Sequence, residues 1–78
     1  MSNSYLSKND MLSVLNGHLT ELNAEQYSHR LRIIEFDAAG AENINSDMYN
    51  QISQMILQYD LRIQAIEAEK ERVLALPE

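Results

Sequence analysis

The sequence predicts an all-α protein: a short N-terminal helix, then an antiparallel helical hairpin with a long, coiled-coil-like C-terminal helix. Three observations carry that prediction. Apolar residues recur at three- and four-residue spacing along most of the 78 residues. Only two glycines and one proline interrupt them. Near the C-terminus the alternation runs unbroken for about seven turns. The whole chain, 1–78, reads as one domain, because it is too short for two cores.

The first helix is expected over about 8–22. Ser7 and Asp10 form a capping box at its start. Met11, Leu12, Leu15, Leu19 and Leu22 then make one apolar face. Gly17 either ends a short helix at Asn16 or is tolerated within it at about 1 kcal/mol.

A second stripe follows in another phase: Ala24, Tyr27, Leu31, Ile34 and Ala38. At about 100° per residue its centre lies about 140° around the helix from the first. One straight helix would bury one half and expose the other. The spacing therefore predicts a break between Gly17 and Asn23, with a second helix over 24–38. Asn23 and Gln26 offer a second capping box for it.

Residues 39–45 read as the connecting loop. Gly40 suits a helix C-cap, and Asn45 or Ser46 suits the next N-cap. The last helix is expected over about 47–75. Tyr49, Ile52, Ile56, Tyr59, Ile63, Ile66, Lys70 and Val73 form its seam, which Met48, Met55 and Leu74 widen. Lys70 is the polar exception, and Pro77 marks the end. A helix over 47–75 is about 43 Å long, against about 22 Å for 24–38. The far half of the seam thus needs another cover: residues 8–22 or a second subunit.

Composition narrows the function. Six Lys and Arg against twelve Asp and Glu give a net charge of −6. That argues against binding a phosphate backbone or an anionic membrane, both of which need clustered cations. The acidity is uneven. Through Phe36 there are three basic and four acidic residues; from Asp37 onward there are three and eight. With 45% hydrophobic and 23% charged residues, the chain should fold and not remain disordered. No apolar run reaches membrane-spanning length, and the N-terminus lacks the basic and apolar regions of a signal peptide. A cytoplasmic protein is expected.

No cofactor or metal is expected. His18 and His29 lie about 16 Å apart on a continuous helix, too far to share an ion. Glu25 and His29 could supply two ligands, with Glu21 one turn earlier, but a zinc site needs three or four and these residues read as a solvated face. No enzyme is expected either: there is no cysteine, and Ser7, Ser28 and Ser46 sit in no nucleophile motif.

Two sets of residues are candidates for recognition. Leu57 and Leu61, continued by Ala65 and Ala68, form a stripe opposite the main seam, and Ile33 and Phe36 lie off the stripe of the second helix. With Tyr5, which precedes the first helix, they make a partner-binding set. The alternative set is Tyr27, Arg30, Arg32, Tyr59 and Arg62, where guanidinium forks and stacking rings could hold an anion such as a nucleotide between subunits.

The leading expectation is a small acidic protein-binding module, an accessory regulator or inhibitor of bacterial or phage type. Charge complementarity would steer it to a basic partner surface. An oligomeric binder of an anionic small molecule is one alternative. A structural subunit or chaperone of a larger assembly is another. A 78-residue chain without disulfides is also expected to self-associate, with a dimer favoured.

Overall fold

A computed structural model of the chain describes residues 6–40 and 45–77. They form two helices, α1 (Lys8–Ala39) and α2 (Ser46–Leu74), packed side by side as an antiparallel hairpin. The rod measures 57 × 18 × 17 Å. Its radius of gyration is 17.5 Å, where a compact domain of this length would have about 11.5 Å.

The helix ends follow the expected capping chemistry. The Ser7 hydroxyl accepts from the Asp10 N–H at 3.0 Å, satisfying one of the donors a helix start leaves open. Asn45 does the same for α2, its Oδ1 accepting from the Met48 N–H at 3.1 Å. Gly40 caps α1 with φ 91°, a left-handed conformation that a side chain would strain, and its N–H reaches the Asp37 carbonyl at 3.4 Å. After α2, the Leu76 N–H donates to the Val73 carbonyl at 3.0 Å, and Pro77 follows.

α2 carries the expected seam, but Met48, Met55 and Leu74, expected to widen it, are exposed. Ile52, Ile63 and Val73 are buried, and the intervening Tyr49, Ile56, Tyr59, Ile66 and Lys70 are half-buried. Leu22 completes the buried apolar core among the described residues.

The predicted break in α1 is absent. The helix runs unbroken through Gly17 and Asn23, so the expected segments 8–22 and 24–38 are one element. Asn23 does not cap: its Nδ2 donates to the Leu19 carbonyl at 2.8 Å, one turn back in the same helix. The inward line simply continues past Leu22 at 3-4 spacing as Gln26, His29, Ile33 and Phe36, which are buried or half-buried. A helix that keeps a 3.5-residue seam needs no re-aiming. Two polar residues occupy the inner face at 26 and 29, and the apolar stripe Ala24, Tyr27, Leu31, Ile34 and Ala38 is turned to solvent. Being 32 residues long, α1 covers all of α2, so the far half of the seam needs no separate helix.

Gly17 is then a plain helical residue. A Cβ added there meets nothing within 4 Å, and its φ is not positive. Gly17→Ala should therefore stabilise the protein by about 0.5–1 kcal/mol, seen as a higher urea midpoint with an unchanged slope. An unchanged or lower midpoint would contradict a continuous helix through this residue.

The rod leaves much of itself in water. Its accessible area is 5862 Å², about 1,000 Å² above the value usual for a folded monomer of this mass.

Candidate functional site

Two regions of the rod depart from an ordinary solvated hairpin. One is polar and lies in the seam; the other is apolar and lies outside it.

The polar region sits midway along the rod. Gln26 is buried, at 6% exposure, and its Nε2 donates to the Ile56 carbonyl at 3.0 Å and to Asp60 Oδ1 at 2.6 Å. Arg30 reaches the same carboxylate oxygen at 4.0 Å, with both side chains about half exposed. The His29 and Tyr59 rings lie 5.5 Å apart, tilted by 37°. His29 Nδ1 is buried and has no hydrogen-bond partner. The Arg62 guanidinium rests over the Tyr59 ring at 5.0 Å, a cation–π contact.

The expected anion-binding set is thus only partly assembled. Tyr59 and Arg62 touch, and Arg30 is one carboxylate away. Arg32 lies further along, its Nη2 3.9 Å from Met48 Sδ. Tyr27 stands on the outer face of α1, 60% exposed. The grooves between the helices are open ones. The larger, 390 Å³, lies between Leu19 on α1 and Glu67, Ala68, Lys70 and Glu71 on α2. The smaller, 140 Å³, is an apolar notch near Leu6, Met11, Val14 and Val73. Among the described residues no three His, Asp or Glu converge as a metal site.

The outer faces are more distinctive. From Met48 to Tyr59 the sequence has no charged residue at all. Directly opposite the seam, from Asn50 to Ala68, α2 presents only Asn, Gln, Leu and Ala. Leu57 and Leu61 are the large side chains there, 61% and 66% exposed. Asp60, Arg62 and Glu67 flank the seam instead. A solvated helix usually carries its charges on the outer face. α1 also presents an apolar line opposite its seam, with Glu21 and Glu35 exposed beside it. Tyr27, Leu31 and Ile34 stand in this line, exposed.

The other expected partner-binding residues are placed differently. Ile33 and Phe36 are half-buried in the seam, not on the surface, with the Phe36 ring 6.2 Å from that of Tyr49. They lie off the apolar stripe because that stripe is the outer one. Tyr5 lies outside the described residues. The tyrosine hydroxyl of Tyr49 donates to Asp37 Oδ1 at 3.4 Å.

Near the end of α2, Arg72 grips Glu69 through two hydrogen bonds of 2.7 and 2.6 Å. These bonds hold the Glu69 carboxyl below the usual carboxylate range. The stabilisation is present above the ordinary Glu range and is lost as pH falls through the lowered pKa. Both groups are exposed, so salt screens the pair.

Among the described residues, no helix is long and apolar enough to cross a membrane. Comparison of the chain with protein-family models, with curated proteins and with solved structures finds no match.

Proposed function

We propose that this chain is a small acidic module that binds another protein, as an accessory regulator or inhibitor, and that the outer face of α2 is its docking surface. The observation that carries the reading is the uncharged line around Leu57 and Leu61. Keeping two leucines more than half exposed on a face without charges makes that face poor at staying solvated and good at entering an apolar groove. α2 holds five acidic residues against three basic ones, which favours a partner with a basic rim. The reading includes no catalytic step, no cofactor and a cytoplasmic setting.

A sequestered anion, a structural subunit and a chaperone are less supported. Arg62 leans on Tyr59 and Arg30 is beside Asp60, so two of the guanidinium groups are already engaged.

The test is affinity capture from the native host with the full chain and with Leu61→Glu. Circular dichroism should show the same helicity for both, because Leu61 lies outside the core. Capture of the partner should fall about tenfold or more for the substituted chain, as for a central interface residue. Equal capture by both would remove α2 as the docking face. A thermal shift with nucleotides, abolished by Arg62→Ala, would instead favour the anion-binding reading.

A further inference from the structure

We propose that Met48 is an oxidation site whose sulfoxide Arg32 captures, so that oxygen transfer to one sulfur fastens α1 to α2 near the loop. The site is separate from the α2 face proposed for the partner protein.

The geometry is a contact between exposed side chains on different helices. Arg32 Nη2 lies 3.9 Å from Met48 Sδ. Met48 is 42% exposed, so an oxidant in solvent reaches it. A guanidinium is a strong donor and a thioether only a weak acceptor, so the pair is mismatched as it stands. Arg32 also forms no ion pair among the described residues. In that it differs from Arg30 and Arg72, which reach Asp60 and Glu69.

Oxidation removes the mismatch. Hydrogen peroxide transfers one oxygen to the sulfur and leaves as water; the sulfur gives up two electrons and the peroxide accepts them. The sulfoxide oxygen carries partial negative charge. With the sulfur already 3.9 Å from Nη2, an oxygen attached on the Arg32 side comes within hydrogen-bond reach. The product is a charge-assisted hydrogen bond between the two helices. The helix field adds to it. Met48 lies in the first turn of α2, where its own N–H donates to Asn45 Oδ1, and a helix N-terminus favours negative charge.

Two other methionines lack this arrangement. Met55 is on the same helix and 38% exposed, yet its sulfur has no hydrogen-bond partner among the described residues. Met11 lines the apolar notch beside Leu6, Val14 and Val73, where a sulfoxide would set a polar group among carbon atoms. The loop end is also where one added bond counts. Tyr49 reaches Asp37 there only at 3.4 Å, and the Phe36 and Tyr49 rings are 6.2 Å apart. Methionine sulfoxide is reduced back enzymatically, so the fastening is reversible.

The experiment treats the full chain carrying Met11→Leu and Met55→Leu with hydrogen peroxide and locates the added oxygen by peptide mass mapping. Both substitutions nearly conserve volume, so this chain should fold like the parent. Oxygen should appear at Met48, and the thermal midpoint followed by circular dichroism should rise by about 2–4 °C. Adding Arg32→Gln should abolish the rise while leaving Met48 oxidised. A chain carrying Met11→Leu and Met48→Leu, which keeps Met55, should show no rise under the same treatment. A Met48 that peroxide leaves intact, a midpoint that stays or falls once Met48 is oxidised, a rise that survives Arg32→Gln, or an equal rise from the chain that keeps Met55 would each overturn the proposal.

Discussion

Ile52→Asp should unfold the protein. Ile52 is 2% exposed and belongs to a buried apolar core that otherwise holds Leu22, Ile63 and Val73 among the described residues. Losing the isoleucine removes about 2–5 kcal/mol of burial and packing. The carboxylate put in its place has no cation to meet inside the seam and adds several kcal/mol more. A domain's whole stability is about 5–15 kcal/mol, and a rod this thin belongs near the bottom of that range. The cooperative thermal transition followed by circular dichroism should vanish. Leu57→Asp, five residues on but 61% exposed, should melt like the parent. If Ile52→Asp also melted like the parent, the seam would be misplaced.

Gln26→Glu should have the next largest effect, through a change of one atom. The amide nitrogen of Gln26 donates to both the Ile56 carbonyl and Asp60 Oδ1. A carboxylate of the same shape can only accept, so it would face two acceptors from within the seam, one of them charged. A loss of about 3–5 kcal/mol is expected at neutral pH. The sign of the pH dependence follows. Burial and the neighbouring carboxylate raise the pKa of the introduced group in the fold above its unfolded value of about 4.3. The penalty is absent below that value and grows as pH rises through the folded pKa. Gln26→Leu should cost less and vary little with pH, because it buries no charge and the Asp60 oxygen it deprives is half exposed and still faces Arg30. Urea midpoints at acid and neutral pH distinguish the two. A Gln26→Glu chain as stable as the parent at pH 7 would mean that position 26 is open to water.

Where hydrophobicity and helix periodicity agree, the fold is legible from residues alone. In α2 they agree from Tyr49 to Val73, and the expected seam, caps and ends hold to within a residue. In α1 they part company after Leu22. Following the apolar residues leads outward to Tyr27, Leu31 and Ile34, whereas following the spacing leads inward through Gln26 and His29 to Ile33 and Phe36. The spacing governs here because Gln26 finds partners across the seam, which removes much of the cost of burying it. Ile33 and Phe36, unaccounted for by the outer stripe, were the signal in the sequence for the inner one. Leu57 and Leu61 were legible as surface residues because the α2 seam was strong enough to leave them over. The outer line of α1 was not legible, because its best residues served as the expected core.

The antiparallel register has a consequence for how the chain finds this structure. Across the seam, partners are 12 residues apart at Asp37 and Tyr49 and 30 apart at Gln26 and Ile56. At the far end, the Lys8 ammonium meets the Leu76 carbonyl at a separation of 68. Each layer that closes leaves only a short loop for the next, so no step has to gather the two ends of a long free chain. The hairpin can zip from Gly40 outward, and the polar layer at Gln26 sits about halfway as a check on register before the second half engages. Opening reverses the order, and the pole where Lys8 meets Leu76 is the first to separate.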